Sequence, residues 1–122
     1  ILAGAVLLWV AGFDTIYSCQ DADFDRAAGL HSLPARLGVA RALVLARVFH
    51  LGAVVLLASL FLVAPLHVLY LVGILAVAAL LAYEHSLVKA DDLSKVDAAF
   101  FTVNGWVSLG YFAVTLAALA LA

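Results

Sequence analysis

Charge, proline, cysteine and methionine are all scarce in this 122-residue chain, and each scarcity excludes a class of structure or partner. Charged residues are 11% of the chain and the net charge is −2, so the chain lacks the basic surface that a nucleic-acid partner requires. The single cysteine, Cys19, rules out an internal disulfide. The two prolines, Pro34 and Pro65, fall in connections and leave the long apolar runs unbroken.

The chain has no methionine, not even at position 1. Its opening, "ILAGAVLLWVAGF", has neither the basic start nor the A-x-A cleavage site of a signal peptide. We therefore interpret this opening as the end of a cut membrane span. On that interpretation, residues 1–122 are the C-terminal portion of a single transmembrane domain.

Hydrophobic residues dominate what remains: they are 68% of the chain, and the mean hydropathy is +1.22. A helix needs about 20 apolar residues to cross a bilayer. The runs 42–64, 66–83 and 98–122 meet that length, and the opening segment to Phe13 or Tyr17 makes a fourth span. The runs do not alternate as barrel strands would, so the sequence predicts an all-α, polytopic transmembrane helix bundle.

Five of the six Lys and Arg residues lie in or beside two connections, and the sixth, Arg47, lies inside the second span. Arg26, Arg36 and Arg41 follow the first span, and Lys89 and Lys95 lie in "KADDLSKVD", whereas the turn "APLH" between them has no Lys or Arg. Two crossings separate the charged connections, so both lie on one side of the membrane. The positive-inside rule makes this the cytoplasmic side.

The first charged connection carries four aspartates in "DTIYSCQDADFDR". In a continuous α-helix, Asp14, Asp21 and Asp25 would lie within about 40° of one another. Tyr17 would lie about 60° to their side, and Asp23 would point to the opposite face. The spacing therefore predicts a stripe of three carboxylates, with the fourth as a solvated bystander.

Carboxylates this close repel one another and need a cation. Arg26 and Arg36 are one source, but Mg²⁺ suits the set better, because it is held by one or two carboxylates, waters and substrate phosphate oxygens. Asp21 and Asp25, one turn apart, can share one metal, and Asp14 is better placed for a second metal or a metal-bound water. The alternative is a solvated acidic loop with no ligand. Asp14 argues against that alternative, because it directly follows an apolar run, where an ionisable group suggests a functional site.

The segment 14–38, "DTIYSCQDADFDRAAGLHSLPARLG", resembles the second aspartate-rich region of the UbiA superfamily of intramembrane prenyltransferases, D-x-x-Y-x-x-x-D-x-x-x-D. Asp14, Tyr17, Asp21 and Asp25 match its marked positions. The ending "GLHSLPARLG" and the loop "YEHSLVKADDLSKVDAAFFTVNG" look most like the 4-hydroxybenzoate polyprenyltransferase branch, particularly its relatives in the futalosine route to menaquinone.

This resemblance implies a nine-helix bundle around a central cavity, of which the chain is about the last four helices. It implies that two aspartate-rich motifs hold Mg²⁺ and the diphosphate of a polyprenyl substrate, and that an aromatic acid such as 4-hydroxybenzoate accepts the prenyl group in ubiquinone or menaquinone biosynthesis. By the same resemblance, Asp14, Tyr17, Asp21 and Asp25 are catalytic, and the three aspartates are the metal ligands. The implied location is a bacterial inner membrane. The first motif, of the type N-x-x-x-D-x-x-x-D, is absent from this chain, so activity is expected to need the N-terminal helices.

Three basic residues near the motif are candidates to bind the diphosphate. Arg26 and Arg36 follow the carboxylates, and guanidinium suits phosphate oxygens, although both can equally be topology-setting charges. His31 lies where related sequences often carry a basic residue, and its alternative is an ordinary loop histidine.

Polar and small residues inside the later spans have packing roles in this interpretation. Asn104 is expected to make an interhelical hydrogen bond. Glu84 is expected to pair with an arginine. Gly105 and Gly110 are expected to permit close helix approach.

Two other functions remain open from the sequence. The first is a different enzyme of the same superfamily, of the haem O or chlorophyll synthase type. The second is a divalent-cation transporter with the aspartates at its entrance. A transporter needs polar residues near mid-membrane in several spans, and the span 66–83 has none between its two tyrosines.

Overall fold

The computed structural model of residues 1–122 is all-α and contains no strand. The elements in chain order are α1 (Leu2–Ser18), a 3₁₀ turn (Cys19–Asp21), α2 (Ala22–Ala27), α3 (Leu33–Leu37), α4 (Val39–Val63), α5 (Leu69–Leu87), a π-helical turn (Ala98–Val103) and α6 (Asn104–Ala120). Four helical segments are long and apolar enough to cross a membrane, namely Leu2–Ala27, Val39–Val63, Leu69–Leu87 and Ala98–Ala120. The predicted fold class is confirmed.

The four long helices bury two apolar clusters, one toward each end of the bundle. One cluster contains Ile16 and Cys19 together with Val88 and Val96. The other contains Ala5, Leu57, Tyr70 and Ala118. The connections 19–38 and 88–97 therefore lie at one end of the bundle, and the turn 64–68 lies at the other. The prediction that the two charged connections share one end is confirmed.

Most of the apolar surface of the spans faces outward. Between 22% and 33% of the residues in each span's most apolar window are buried inside the chain. Leu62, Leu75 and Leu109 are each more than 70% exposed. An apolar surface this extensive is unfavourable in water, so it meets lipid tails or other apolar helices.

The return from α1 to α4 depends on short helices with defined ends. The Ser32 hydroxyl accepts a hydrogen bond from the Ala35 backbone N–H (3.2 Å) and caps α3, which has Pro34 in its first turn. Gly38 ends α3 with φ +84°, a conformation that costs glycine little. The chain reverses there and enters α4 directly.

Close packing of α1 on α4 depends on Gly12. A Cβ at this position would overlap the ring of His50. Gly105 and Gly110, which we expected at close helix contacts, have nothing within 4 Å of a Cβ. Within residues 1–122 that expectation was wrong, because no atom of another helix lies where either Cβ would project.

Five polar residues form a belt of hydrogen bonds through the four long helices: Trp9, His50, Glu84, His85 and Asn104. The Trp9 indole N–H donates to Asn104 Oδ1 (3.1 Å), and Asn104 Nδ2 donates to Glu84 Oε1 (3.3 Å). His50 Nε2 lies 3.2 Å from the Trp9 carbonyl oxygen, and His50 Nδ1 lies 2.8 Å from His85 Nε2. Glu84 and His85 are neighbours on α5, so this polar belt closes on itself.

The contact with the Trp9 carbonyl determines which ring nitrogens of His50 and His85 carry a proton. A carbonyl oxygen can only accept, so His50 carries a proton on Nε2 and, as a neutral ring, accepts at Nδ1. His85 must then donate from Nε2. Each histidine thus joins a different pair of helices, α1 with α4 and α4 with α5.

Glu84 and Asn104 are the buried acid and amide of the polar belt. The expected interhelical bond of Asn104 is confirmed, and it is made to both α1 and α5. Glu84 is fully buried and pairs with this amide, so the expectation of an arginine partner was wrong. Its second oxygen, Oε2, has no partner within the chain.

Replacing Gly12 by alanine is expected to lower the free energy of unfolding in mild detergent by about 1–3 kcal/mol. The new methyl group would overlap the His50 ring, which cannot turn away without breaking its bonds to Trp9 and His85. Gly110→Ala is the matched control, because its methyl group meets nothing. Equal stability of the two variants would contradict this account of the α1–α4 contact.

Trp9→Phe is expected to destabilise the protein by about 1 kcal/mol, the scale of one interhelical hydrogen bond in a membrane protein. Phenylalanine keeps an aromatic ring but cannot donate to Asn104. Trp106, which is 51% exposed and outside the polar belt, supplies the control Trp106→Phe. Thermal unfolding of both variants in the same detergent measures the difference, and an unaffected Trp9→Phe protein would remove this residue from the belt.

Candidate functional site

The aspartate motif begins on the face of α1 that the core does not use. Gly12, Thr15 and Ile16 are buried against the bundle, whereas Asp14 is exposed. Tyr17 is half-buried, and it lies about 60° from Asp14 around the helix. The polar belt thus fixes one side of α1, and the motif occupies the other.

Side chains bonded to backbone carbonyls interrupt the α-helix within the motif. The Thr15 hydroxyl donates to the Ala11 carbonyl (2.7 Å). The Thr15 carbonyl then accepts from Ser18 Oγ (2.9 Å) and, at 3.3 Å, from the buried Cys19 Sγ. Such bonds compete with regular helix geometry, and a 3₁₀ turn follows at Cys19–Asp21.

The 3₁₀ turn changes the predicted arrangement of carboxylates. It rotates each residue by about 120° instead of about 100°, so three residues turn Asp21 and Asp25 together by about 60° and widen the spread of the three carboxylates from about 40° to about 80°. No three His, Cys, Asp or Glu side chains in the chain form a group that could hold a metal ion. The continuous α-helix on which the predicted stripe depended is therefore interrupted, and the three carboxylates are spread more widely around the helix axis than predicted. Asp21 and Asp25 remain one turn apart, and Asp14 is set off from them.

The fourth aspartate has a partner that the other three lack. Asp23 pairs with Arg26 at 3.4 Å, and this is the only salt bridge in the chain. Asp14, Asp21 and Asp25 make no side-chain hydrogen bond or ion pair. Three carboxylates at one end of the bundle thus have no positively charged partner within the chain.

The three basic candidates differ in availability. Arg26 is engaged, because its Nε also donates to the Ala35 carbonyl (3.2 Å) and ties α2 to α3. His31 and Arg36 are exposed and make no side-chain bond. Both belong to the connection that folds back on the motif, since α3 packs against α1, α2 and the 3₁₀ turn.

An aromatic cluster lies beside the motif, and the sequence analysis did not predict it. Phe13 and Tyr17 are one turn apart on α1, and Phe100 packs on both, with ring centroids 5.2 Å and 4.4 Å away. Phe101 is 4.8 Å from Phe100 and 6.2 Å from Tyr17. The adjacent pair "FF" was the only sequence signal, and it gave no indication of which helix it would meet.

The two phenylalanines belong to the π-helical turn Ala98–Val103, where the sequence predicted ordinary helix. Asn104 Nδ2 donates to the Phe100 carbonyl (3.0 Å) and lies 3.5 Å from the Ala99 carbonyl. This amide therefore connects the π-helical turn to the polar belt. Single π-helical turns in proteins are frequent at functional sites.

In the second charged connection, residues 88–97, the Asp92 side chain stabilises the turn. Asp92 accepts hydrogen bonds from the Ser94 N–H (3.0 Å) and hydroxyl (2.6 Å), and the Lys89 and Asp92 backbones bond to each other. The bonds from Ser94 hold the pKa of the Asp92 carboxyl below its ordinary value. The Asp92 carboxylate thus stabilises the turn at the end of the bundle where the aspartate motif lies.

The apolar cavity within the four-helix core, of about 160 Å³, does not contain the motif. It is lined by nine hydrophobic residues and Ser108, with Trp9 and Tyr111 among them. Asp14 lies about 140° around α1 from Trp9, so the cavity and the carboxylates are on different sides of this helix. The site therefore belongs to the outer face of α1 and the π-helical turn.

The match to a known family covers most of the chain. The model of the UbiA prenyltransferase family matches residues 1–106, which include the aspartate motif, the polar belt and the aromatic cluster. No curated protein and no solved structure matches the chain. Together with the four apolar helices, the match identifies an integral membrane protein that belongs to the UbiA prenyltransferase family.

Proposed function

We propose that this protein takes part in Mg²⁺-dependent transfer of a polyprenyl group from polyprenyl diphosphate to an aromatic acid of the 4-hydroxybenzoate type, as in ubiquinone or menaquinone biosynthesis. The family match supports a prenyltransferase. The segments 14–38 and 83–105 support the acceptor class through their resemblance to the 4-hydroxybenzoate branch. The aspartate motif faces the cytoplasm in this proposal, on the side of the basic connections.

The observation that carries the proposal is the set of unpartnered carboxylates. Of four aspartates within twelve residues, Asp23 has an arginine and the other three have no partner. Three ionised groups near an apolar phase are unfavourable without a cation. A bound divalent ion and its anionic substrate would supply the missing charge.

The donor chemistry of the motif fits magnesium. Carboxylate oxygens are the ligands that Mg²⁺ prefers, and the ion commonly takes only one or two of them with substrate phosphates. Asp21 and Asp25 are the residues that would hold it, and Asp14 is set apart for a second ion or a bound water. When bound, magnesium neutralises charge on diphosphate oxygens and makes diphosphate a better leaving group.

The remaining residues of the motif's end bind and orient the substrate in this proposal. His31 and Arg36 have free side chains to meet diphosphate oxygens. Arg26 does not bind the diphosphate in this proposal; it stabilises the site by joining α2 to α3. The outward apolar helices accommodate the hydrocarbon chain and exclude water from the reacting carbon. A first aspartate motif is not in this sequence, so we propose that a further segment supplies it.

A transporter is less well supported. Polar residues do lie within the spans, but Trp9, His50, His85, Asn104 and Glu84 bond to one another. Groups that bond to one another across the helices in this way join the spans and do not form a continuous polar path for ions.

Asp21→Asn and Asp25→Asn are each expected to lower Mg²⁺-dependent diphosphate release by about 100-fold or more, because each removes a negative charge that would hold the metal ion. Asp23→Asn is the matched control and is expected to stay within a few fold of the wild type, because Asp23 contacts only Arg26. The assay uses the protein in native membranes with polyprenyl diphosphate and 4-hydroxybenzoate, with and without excess EDTA. Equal losses in all three variants, or turnover that survives EDTA, would reject the assignment.

A further inference from the structure

A groove of about 190 Å³ lies between α4 and α5, and no residue of the aspartate motif lines it. The wall formed by α4 consists of Arg47, His50, Leu51 and Val54, whose spacing places them on one helical face. No aspartate or glutamate lines the groove, and Arg47 makes no ion pair elsewhere in the chain. The groove therefore has a positive charge that nothing in the chain neutralises.

The groove is polar at one end and apolar along the rest of its length. Its other wall consists of Ala78, Leu81, Ala82 and His85 on α5, at the same spacing. Because α4 begins at the end of the bundle with the charged connections and α5 returns to it, the arginine and both histidines lie toward that end. The aliphatic side chains continue the groove away from it. A cationic end followed by an apolar length is complementary to a lipid with an anionic headgroup.

The depth of Arg47 corresponds to the level of lipid phosphates. The 19 residues of α5 make about 28 Å of helix, which is close to the hydrocarbon thickness of about 30 Å. His85 is in the last turn of α5 and contacts His50. Arg47 is almost one turn nearer the charged end than His50, so it lies at about the level where α5 leaves the hydrocarbon layer. An arginine at this level can reach the headgroups directly.

His85 offers a hydrogen-bond acceptor at the polar end of the groove. It donates from Nε2 to His50 Nδ1 (2.8 Å), so as a neutral ring it carries no proton on its own Nδ1. No donor of the chain bonds to this Nδ1, and the side chain is only half-buried. A ligand in the groove can thus bring an anion for Arg47 and a hydroxyl for His85.

We propose that this groove binds an anionic phospholipid of the phosphatidylglycerol type. The lipid phosphate accepts from Arg47, a headgroup hydroxyl donates to His85, and an acyl chain follows the apolar length between α4 and α5. Guanidinium forms strong charge-assisted hydrogen bonds to phosphate. A phosphodiester carries one negative charge, which the single arginine balances. The bound lipid joins α4 to α5 on a surface remote from the motif.

The charge of the groove argues against polyprenyl diphosphate as the occupant. A diphosphate carries more negative charge than a phosphodiester, and the groove has one arginine to oppose it. No carboxylate lines the groove, so a metal ion that could neutralise the remainder has no ligand of that kind there.

The test measures lipid affinity by native mass spectrometry of the protein purified from membranes, and in parallel by the rise in unfolding temperature with added lipid. The probes share their acyl chains and are phosphatidylglycerol, phosphatidylmethanol and phosphatidylcholine. Phosphatidylmethanol keeps the charge of phosphatidylglycerol without its hydroxyls, and phosphatidylcholine has no net charge. We expect phosphatidylglycerol to bind about tenfold or more tighter than phosphatidylcholine, and about threefold to tenfold tighter than phosphatidylmethanol.

Arg47→Gln is expected to remove the preference for phosphatidylglycerol over phosphatidylcholine, and Arg41→Gln is expected to retain it. Arg41 is the matched control, because it is exposed on the same helix, has the same charge and does not line the groove. Neither arginine takes part in an ion pair within the chain, so both variants are expected to be recovered in wild-type amount.

Ala82→Phe tests the apolar length of the groove. Its ring would fill the space of the acyl chain, so the affinity for phosphatidylglycerol is expected to fall about tenfold, the effect of exposing about two CH₂ groups. Ala76→Phe is the control, because Ala76 is exposed on α5 but does not line the groove. Equal affinities of these two variants would show that the lipid is not bound in the groove and would overturn the proposal.

The other outcomes that overturn the proposal are distinct. Equal affinity of the wild type for phosphatidylglycerol and phosphatidylcholine would show no anionic-lipid site, and equal losses in Arg41→Gln and Arg47→Gln would assign the preference to general surface charge. Equal affinity for phosphatidylglycerol and phosphatidylmethanol would reject the hydroxyl-bearing headgroup. Displacement of phosphatidylglycerol by polyprenyl diphosphate without Mg²⁺ would assign the groove to that substrate. None of these measurements involves prenyl transfer, so this inference and the proposed function fail separately.

Discussion

Hydrogen bonding without water is the constraint on which this fold depends. Inside a bilayer a polar side chain has only other protein groups to bond, so one or two polar residues on each helix fix how that helix faces its neighbours. Trp9 is the centre of the arrangement, because its indole N–H contacts α6 and its carbonyl contacts α4. The apolar side chains around the belt fill space but specify little, since lipid is equally apolar.

The belt also explains why the aspartate motif is outside the core. With one side of α1 fixed by Trp9 and by the close approach at Gly12, the opposite side is left for Asp14 and Tyr17. The π-helical turn reaches that side because Asn104 is part of the same belt. The polar residues that join the helices and the aspartates of the motif are thus on different sides of α1.

The sequence was sufficient for the architecture and insufficient for the detail of the site. Length and hydropathy predicted four spans, and basic residues predicted the shared end, because both depend on composition alone. The 3₁₀ turn was missed because it arises from bonds of Thr15, Ser18 and Cys19 to carbonyls, which leave no periodic pattern. The aromatic cluster was missed because a uniformly apolar run does not indicate which of its faces meets another helix. The number of aspartates made it predictable that most of them would have no ion-pair partner. The sequence did not predict that Asp23 would be the one paired with an arginine.

Burial of the single cysteine has a practical consequence. Cys19 is 2% exposed and its thiol bonds to the Thr15 carbonyl, so reagents that stay in water have no native thiol to modify in residues 1–122. A cysteine introduced in the exposed turn at 64–68, or in the loop at 88–97, would then be the sole target of such a reagent within these residues. Intact cells and inside-out vesicles would label opposite sites, and the sidedness of the aspartate motif could be read without altering any residue that the enzyme uses.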